Sequence, residues 1–172
     1  MENSEIGSIK IVSGGQTGVD RGALDAALAA GVACGGWCPE GRLAEDGRIP
    51  ARYPVIELIG GHYQQRTMKN LEDSDGTLII YFESLSGGTE QTLAGCIERK
   101  RPYLLLDGSE IGVDRAVARV RRFLDDYHVR VLNVAGPRAS GEPRAYGYAF
   151  SIVSAVVLPS PQKRTPAPGS GG

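Results

Sequence analysis

The sequence predicts an α/β protein of the Rossmann-like, doubly wound kind, with a mostly parallel sheet and helices on both faces, and three observations predict it. Short β-branched or apolar runs alternate with segments of helical periodicity along the chain. Residues 76–81 (GTLIIY) form an almost uninterrupted apolar run, as suits a parallel strand covered on both faces. Glycine accounts for 24 of 172 residues, about twice its usual share of ~7%. These glycines gather where apolar runs end, which is where ligand-cradling loops sit in such sheets.

Residues 9–13 (IKIVS) read as the first strand, broken by Gly14 and Gly15. A helix follows over residues 20–30 on Leu24, Ala27 and Leu28, with Asp20 as a candidate N-cap and Gly31 as its stop. Residues 32–37 form a second extended piece interrupted by Gly35 and Gly36, and residues 38–54, polar and rich in proline and glycine, read as an ordered loop. A short strand at 55–58 and a helix at 63–73 lead into GTLIIY. Ser86-Gly87-Gly88-Thr89 then opens a helix with Leu93, Cys96 and Ile97 on one face. Strands at 103–106 and 129–134 flank a helix marked by Val113, Ala116, Val117, Val120 and Leu124. A last helix runs from about Pro143 through Ile152 and Val153 to Pro159. One domain is expected over residues 1–159. Residues 160–172, rich in proline, glycine, serine and charge with no apolar anchor, are expected to form a disordered tail.

The net charge of −1 supplies no cationic field for DNA or RNA, so no nucleic-acid partner is expected. No apolar run reaches the roughly 20 residues of a membrane span, and the start MENSEIGS lacks the charged and apolar regions of a signal peptide. A cytoplasmic protein without a membrane partner is expected. Cys34, Cys38 and Cys96 make an odd count, and the Cys34/Cys38 spacing is not that of a zinc ribbon, so neither a disulfide framework nor a structural metal is expected.

Three loops fall on the carboxyl edge of the predicted sheet. The first holds Gly14, Gly15, Gln16, Thr17, Gly18, Asp20 and Arg21; exposed amides at a helix start attract a phosphate, although neither the Rossmann spacing nor a P-loop lysine is present. The second is Ser86, Gly87, Gly88 and Thr89, a second candidate anion nest. The third ends in Gly136 and Arg138, whose guanidinium suits a phosphate or carboxylate. Between them, Trp37 is a candidate platform for a planar ring, and Arg42 and Arg48 are candidate phosphate partners. Asp20 and Glu90 are the candidate general bases, and no triad forms around His62 or His128.

The motifs SGGQTGVDRGALDAAL, GGWCPEGRLAEDGRIP, DSDGTLII, LSGGTEQT and RVLNVAGPR, in this order, resemble the family of "putative molybdenum carrier proteins" over residues 9–157. That family is similar to a wider Rossmann-like group holding the "lonely guy" phosphoribohydrolases, the lysine-decarboxylase-like proteins and the DNA-processing protein DprA. The resemblance implies a nucleotide or molybdenum cofactor (molybdopterin) as ligand, a phosphorylated small molecule in either case, and a homo-oligomer. In the phosphoribohydrolases the second loop reads P-G-G-x-G-T-x-x-E; here Ser86 to Thr89 is shorter, and neither Glu90 nor Glu98 matches the catalytic glutamate. The expectation is therefore a carrier that binds its ligand across the three loops. A nucleotide phosphoribohydrolase or a nucleotide-sensing module is the alternative.

Overall fold

The computed structural model describes residues 9–158. Its strands are β1 (Lys10–Val12), β2 (Cys34–Pro39), β3 (Leu43–Ala44), β4 (Gly47–Arg48), β5 (Val55–Leu58), β6 (Gly76–Tyr81), β7 (Tyr103–Asp107) and β8 (Val131–Ala135). Its helices are α1 (Val19–Ala30), α2 (Tyr63–Glu72), α3 (Gly87–Glu98), α4 (Val113–Asp126) and α5 (Ala145–Val157). Six strands form one sheet in the order β5-β2-β1-β8-β6-β7, and every pairing in it is parallel.

Residues 76–81 explain the layering. Leu78 and Ile80 of β6 join a core with Val19, Ala23, Ala116, Phe123, Ala149 and Ile152, from α1, α4 and α5. Ile79, pointing to the other face, packs with Leu71 and Cys96 of α2 and α3. Successive strand residues face opposite ways, so a strand with helices on both sides has to be apolar throughout. Helices α1 and α5 approach closely because Gly22 has no side chain: a Cβ there would stand 2.5 Å from the Tyr146 carbonyl.

The chain winds outward from β1 through β2 to β5, crosses by α2 to β6, goes outward again to β7, and returns by α4 to place β8 between β1 and β6. The direction of winding therefore reverses around β8, and the carboxyl ends of β1, β8 and β6 surround that switch point. Crevices of this kind take ligands in open α/β sheets.

Three readings of the sequence are corrected. Residues 38–54 are not simply a loop: Cys38 and Pro39 extend β2, and β3 and β4 form an antiparallel hairpin. That hairpin is held by a small core of Ala44, Ile49 and Tyr53 against Leu24, Cys38 and Val55, an anchoring too sparse to register as periodicity. Asp20 is not the cap of α1; Gly18 holds that position and Asp20 lies in the first turn. Ile97 does not share the buried face of Cys96 but is 57% exposed. The expected disordered tail lies outside the described residues, among which no helix is long and apolar enough to cross a membrane.

Candidate functional site

A cleft of about 520 Å³ opens at the switch point, lined from loop one by Gly14, Gln16 and Asp20, from loop two by Ser86 to Thr89, and from loop three by Gly136 and Arg138. The structure thus brings all three predicted loops to one cavity. Helix α2 supplies the remaining wall with Tyr63, Arg66 and Thr67, and the end of β6 adds Tyr81 and Phe82. The volume falls within the roughly 300–1,000 Å³ typical of small-molecule sites.

The two helix starts at the cleft differ. At α1 the Val19 amide donates to the Pro137 carbonyl at 3.2 Å, and the Arg21 amide to the Gln16 carbonyl at 3.2 Å. Loop three therefore plugs this terminus. At α3, Ser86 is the N-cap and makes no side-chain cap bond, and beyond the adjoining backbone of the helix no heavy atom of the described residues lies within 4 Å of where a Cβ on Gly87 or Gly88 would stand. First-turn amides have no intrahelical acceptor, so those of Gly87, Gly88 and Thr89 present the positive end of the α3 dipole to the cleft. Gly87 also needs its lack of side chain for its φ of +54°.

Asp20 sits at the floor of the cleft, 5% exposed. Its Oδ2 accepts from the Gln16 amide at 3.2 Å and from Arg66 Nη1 at 3.4 Å. The Ser13 hydroxyl beside it commits its proton to the Val134 carbonyl at 2.7 Å. Burial pushes the Asp20 carboxyl above its ordinary range, with the Arg66 charge opposing. Arg66 reaches this position because Gly14 is bare: a Cβ there would lie 1.5 Å from Arg66 Nη1. Its Nε is buried and has no hydrogen-bond partner among the described residues.

Other predicted residues stand outside the cleft, and their partners explain why. Thr17 accepts from the Ala139 amide at 3.1 Å and donates to Glu45, tying loop one to loop three. Gly15 faces Ile49 and Val55, and Gly18 faces the backbone of Pro137 to Ala139. Arg21 is held by Asp46 (2.5 and 2.7 Å) and by the Gly15 carbonyl. The Arg42 guanidinium spends four of its five N–H donors on the carbonyls of Ile49, Pro50, Tyr53 and Val55, so it braces a turn and does not line the cleft. Trp37 lies on β2, donates from Nε1 to Asp73 at 2.7 Å and lies under the Lys69 ammonium. The aromatic side chains that do line the cleft are Tyr63, 44% exposed, Tyr81 and Phe82. Glu90 is exposed on α3 and does not line the cleft; of the two carboxylates that do, Glu142 is paired with Arg144 and Asp20 is the more deeply buried.

Sequence reasoning missed Arg66, Tyr63 and Glu45. The first two lie in an ordinary amphipathic helix, and only the crossover of α2 brings them to the switch point. Glu45, at the tip of the hairpin, accepts from the Ser140 amide at 3.1 Å and its hydroxyl at 2.5 Å. These bonds hold its carboxyl below the usual carboxylate range. No cysteine lines the cleft, and burial raises the pKa of all three thiols. Among the described residues no group of three or more His, Cys, Asp or Glu side chains is arranged to hold a metal ion.

The family model described as "Circularly permutated YpsA SLOG family" matches residues 11–157. The crystal structure of a "putative molybdenum carrier protein" from Syntrophus aciditrophicus SB is similar at 41% identity and a TM-score of 0.85, over 88% of this chain and 96% of that one. No curated protein matches the chain. The permutation is visible in the sheet. Placed ahead of β1, the β8–α5 unit would begin an unbroken winding β8-β1-β2-β5 to one edge, followed by β6-β7 to the other.

Proposed function

The chain belongs to the circularly permutated YpsA SLOG family, and from that premise we propose that it binds a phosphorylated heterocycle, molybdenum cofactor or a nucleotide, in the cleft at the switch point, as a carrier. The observation that supports this most is the open start of α3, where the Gly87, Gly88 and Thr89 amides face the same cleft as Arg138. Backbone donors at a helix start together with a guanidinium suit a phosphate. Tyr63, Tyr81 and Phe82 offer aromatic surface for the heterocycle. A molybdenum-bearing pterin would be held by its phosphate and ring, since no thiol reaches the cleft. It would be cargo, not a resident cofactor. The name of the similar protein from Syntrophus agrees with that cargo.

Native mass spectrometry of freshly purified protein, with metal analysis of the same sample, tests the proposal. The expected result is an adduct of nucleotide or pterin mass that Gly88→Glu removes, because this substitution puts a carboxylate where the phosphate would sit. Absence of any adduct, together with no binding of nucleoside monophosphates at millimolar concentration, would contradict it. The alternative of N-glycosidic hydrolysis has one observation in its favour, the buried Asp20 at the cleft floor, and release of free base from nucleoside monophosphates distinguishes it. The reading includes self-association through edge strand β5, whose Ile56 is 61% exposed. Light scattering at a monomer mass would remove that part.

A further inference from the structure

The cleft sets polar groups of opposite character beside the rings of Tyr63, Tyr81 and Phe82. One wall carries the positive dipole end of α3 with its uncapped amides, and the floor carries the Asp20 carboxylate, whose side chain is 7% exposed. A phosphate placed against Asp20 would face a like charge in a partly desolvated site. The phosphate is therefore drawn to α3, and the other end of the ligand faces Asp20.

Oδ2 of Asp20 is occupied by Gln16 and Arg66. The other oxygen, Oδ1, has among the described residues only the Ser13 hydroxyl within reach, and that hydroxyl is shared with the Val134 carbonyl. A carboxylate has about four acceptor sites and no donor, so Asp20 at the cleft keeps acceptor capacity that an N–H or O–H of a ligand or water can fill.

Resting on the proposed function, we propose that Asp20 selects the heterocycle, and that the ligand class is a phosphorylated 2-amino-4-oxo-pyrimidine-type ring, guanine or pterin, in preference to adenine. The edge shared by guanine and pterins presents a ring N–H beside an exocyclic amino group, two adjacent donors matched to a carboxylate. Adenine presents an amino group beside a bare ring nitrogen, whose lone pair would oppose the carboxylate. Sites built on such buried polar complementarity reject analogues lacking the donor far more strongly than apolar pockets reject a missing methylene.

Calorimetric titration of the whole chain with GMP, IMP, AMP, neopterin monophosphate and inorganic pyrophosphate, at fixed pH and salt, is the test. The inference expects GMP and neopterin monophosphate to bind at least about 10-fold more tightly than AMP, with IMP, which keeps the ring N–H and lacks the amino group, in between. The tighter of the first two assigns the source of the ring. Asp20→Asn, which puts an amide donor at the floor, should bring GMP and AMP within about threefold of each other. The ligand series on the unaltered protein decides the matter even where that variant folds poorly. AMP binding as tightly as GMP, or pyrophosphate binding with no discrimination among the bases, would overturn the inference and leave the phosphate site standing. No binding by any of the five would overturn both.

Discussion

At the start of α1 a Cβ on Gly18 would meet the Pro137 carbonyl at 2.4 Å; at the start of α3 a Cβ on Gly87 or Gly88 would meet nothing within 4 Å. Both helices follow a parallel strand of the same sheet and both open on glycines. In the first turn the glycines admit other parts of the protein: the Arg66 side chain against Gly14, and the backbone of loop three against Gly18. In the second they leave space open. A glycine-rich turn therefore reports close approach without saying whether protein or ligand approaches, and only the neighbours distinguish the two.

The sharpest way to break this comparison is to give one glycine of each turn a side chain. Gly18→Val combines a backbone clash with a φ of +81°, and about 3 kcal/mol or more should be lost. At this chain length that corresponds to a fall in Tm of roughly 6–12 °C. Gly88→Ala should change stability by no more than about 1 kcal/mol, in the stabilising direction, because alanine suits a helix better than glycine. Paired thermal melts check both, and equal losses would contradict the difference in packing. Gly15→Val is not a clean probe of binding, since a Cβ there lies 3.1 Å from Ile49 at a φ of +82°.

Next in size is Asp20→Ala. It leaves the Arg66 guanidinium, 13% exposed, without its carboxylate, and about 2–3 kcal/mol should be lost at neutral pH. The pH dependence has a defined sign. Burial raises the native Asp20 pKa above its unfolded value of 3.8, so the folded state holds this proton more tightly than the unfolded one. The contribution of Asp20 is fullest below that value and is lost as pH rises through the native pKa. The stability of the wild-type protein relative to Asp20→Asn should accordingly fall as pH rises from about 4. Chemical denaturation at a series of pH values measures it; a rising difference would mean that the Arg66 attraction outweighs burial.

Smaller effects come from the hairpin side. Glu45→Gln weakens the tie between loops one and three by about 0.5–1 kcal/mol, a modest figure because the side chain is exposed. Its carboxyl is held below its ordinary value of 4.5, so this contribution is present above that value and is lost as pH falls through the lower native pKa. Smallest of all is Trp37→Phe. Ligand affinity should change by less than about twofold, since the indole lies on β2 against Asp73 and outside the cleft. Titration of that variant checks it, and a loss of tenfold or more would restore Trp37 to the site.

The sheet was legible in the sequence because its central strand is apolar on both faces and its helices carry clear periodicity; GTLIIY corresponds to β6 residue for residue. The hairpin at residues 43–48 was not legible, because two strands of two residues carry no period and depend on packing against Leu24, Cys38 and Val55 of α1, β2 and β5. At the site, nine predicted residues line the cleft, from Gly14 to Arg138, because loops at strand carboxyl ends converge wherever the winding reverses. Arg21, Arg42 and Trp37 looked equally suited to a ligand. Their partners, Asp46, a set of carbonyls 7 to 13 residues past Arg42, and Asp73, carry no motif. Arg66 was hidden for the complementary reason: nothing within α2 distinguishes it from a surface arginine until Gly14 makes room for it.

The central claim is that α3 offers an anion site and α1 does not. Amide-resolved NMR titration with GMP and, separately, inorganic phosphate tests it most directly. The account predicts the largest shifts at the Gly87, Gly88 and Thr89 amides, with Val19 and Arg21, already bonded to carbonyls within the protein, moving little. The largest shifts at Val19 and Arg21, or none in either turn, would contradict it.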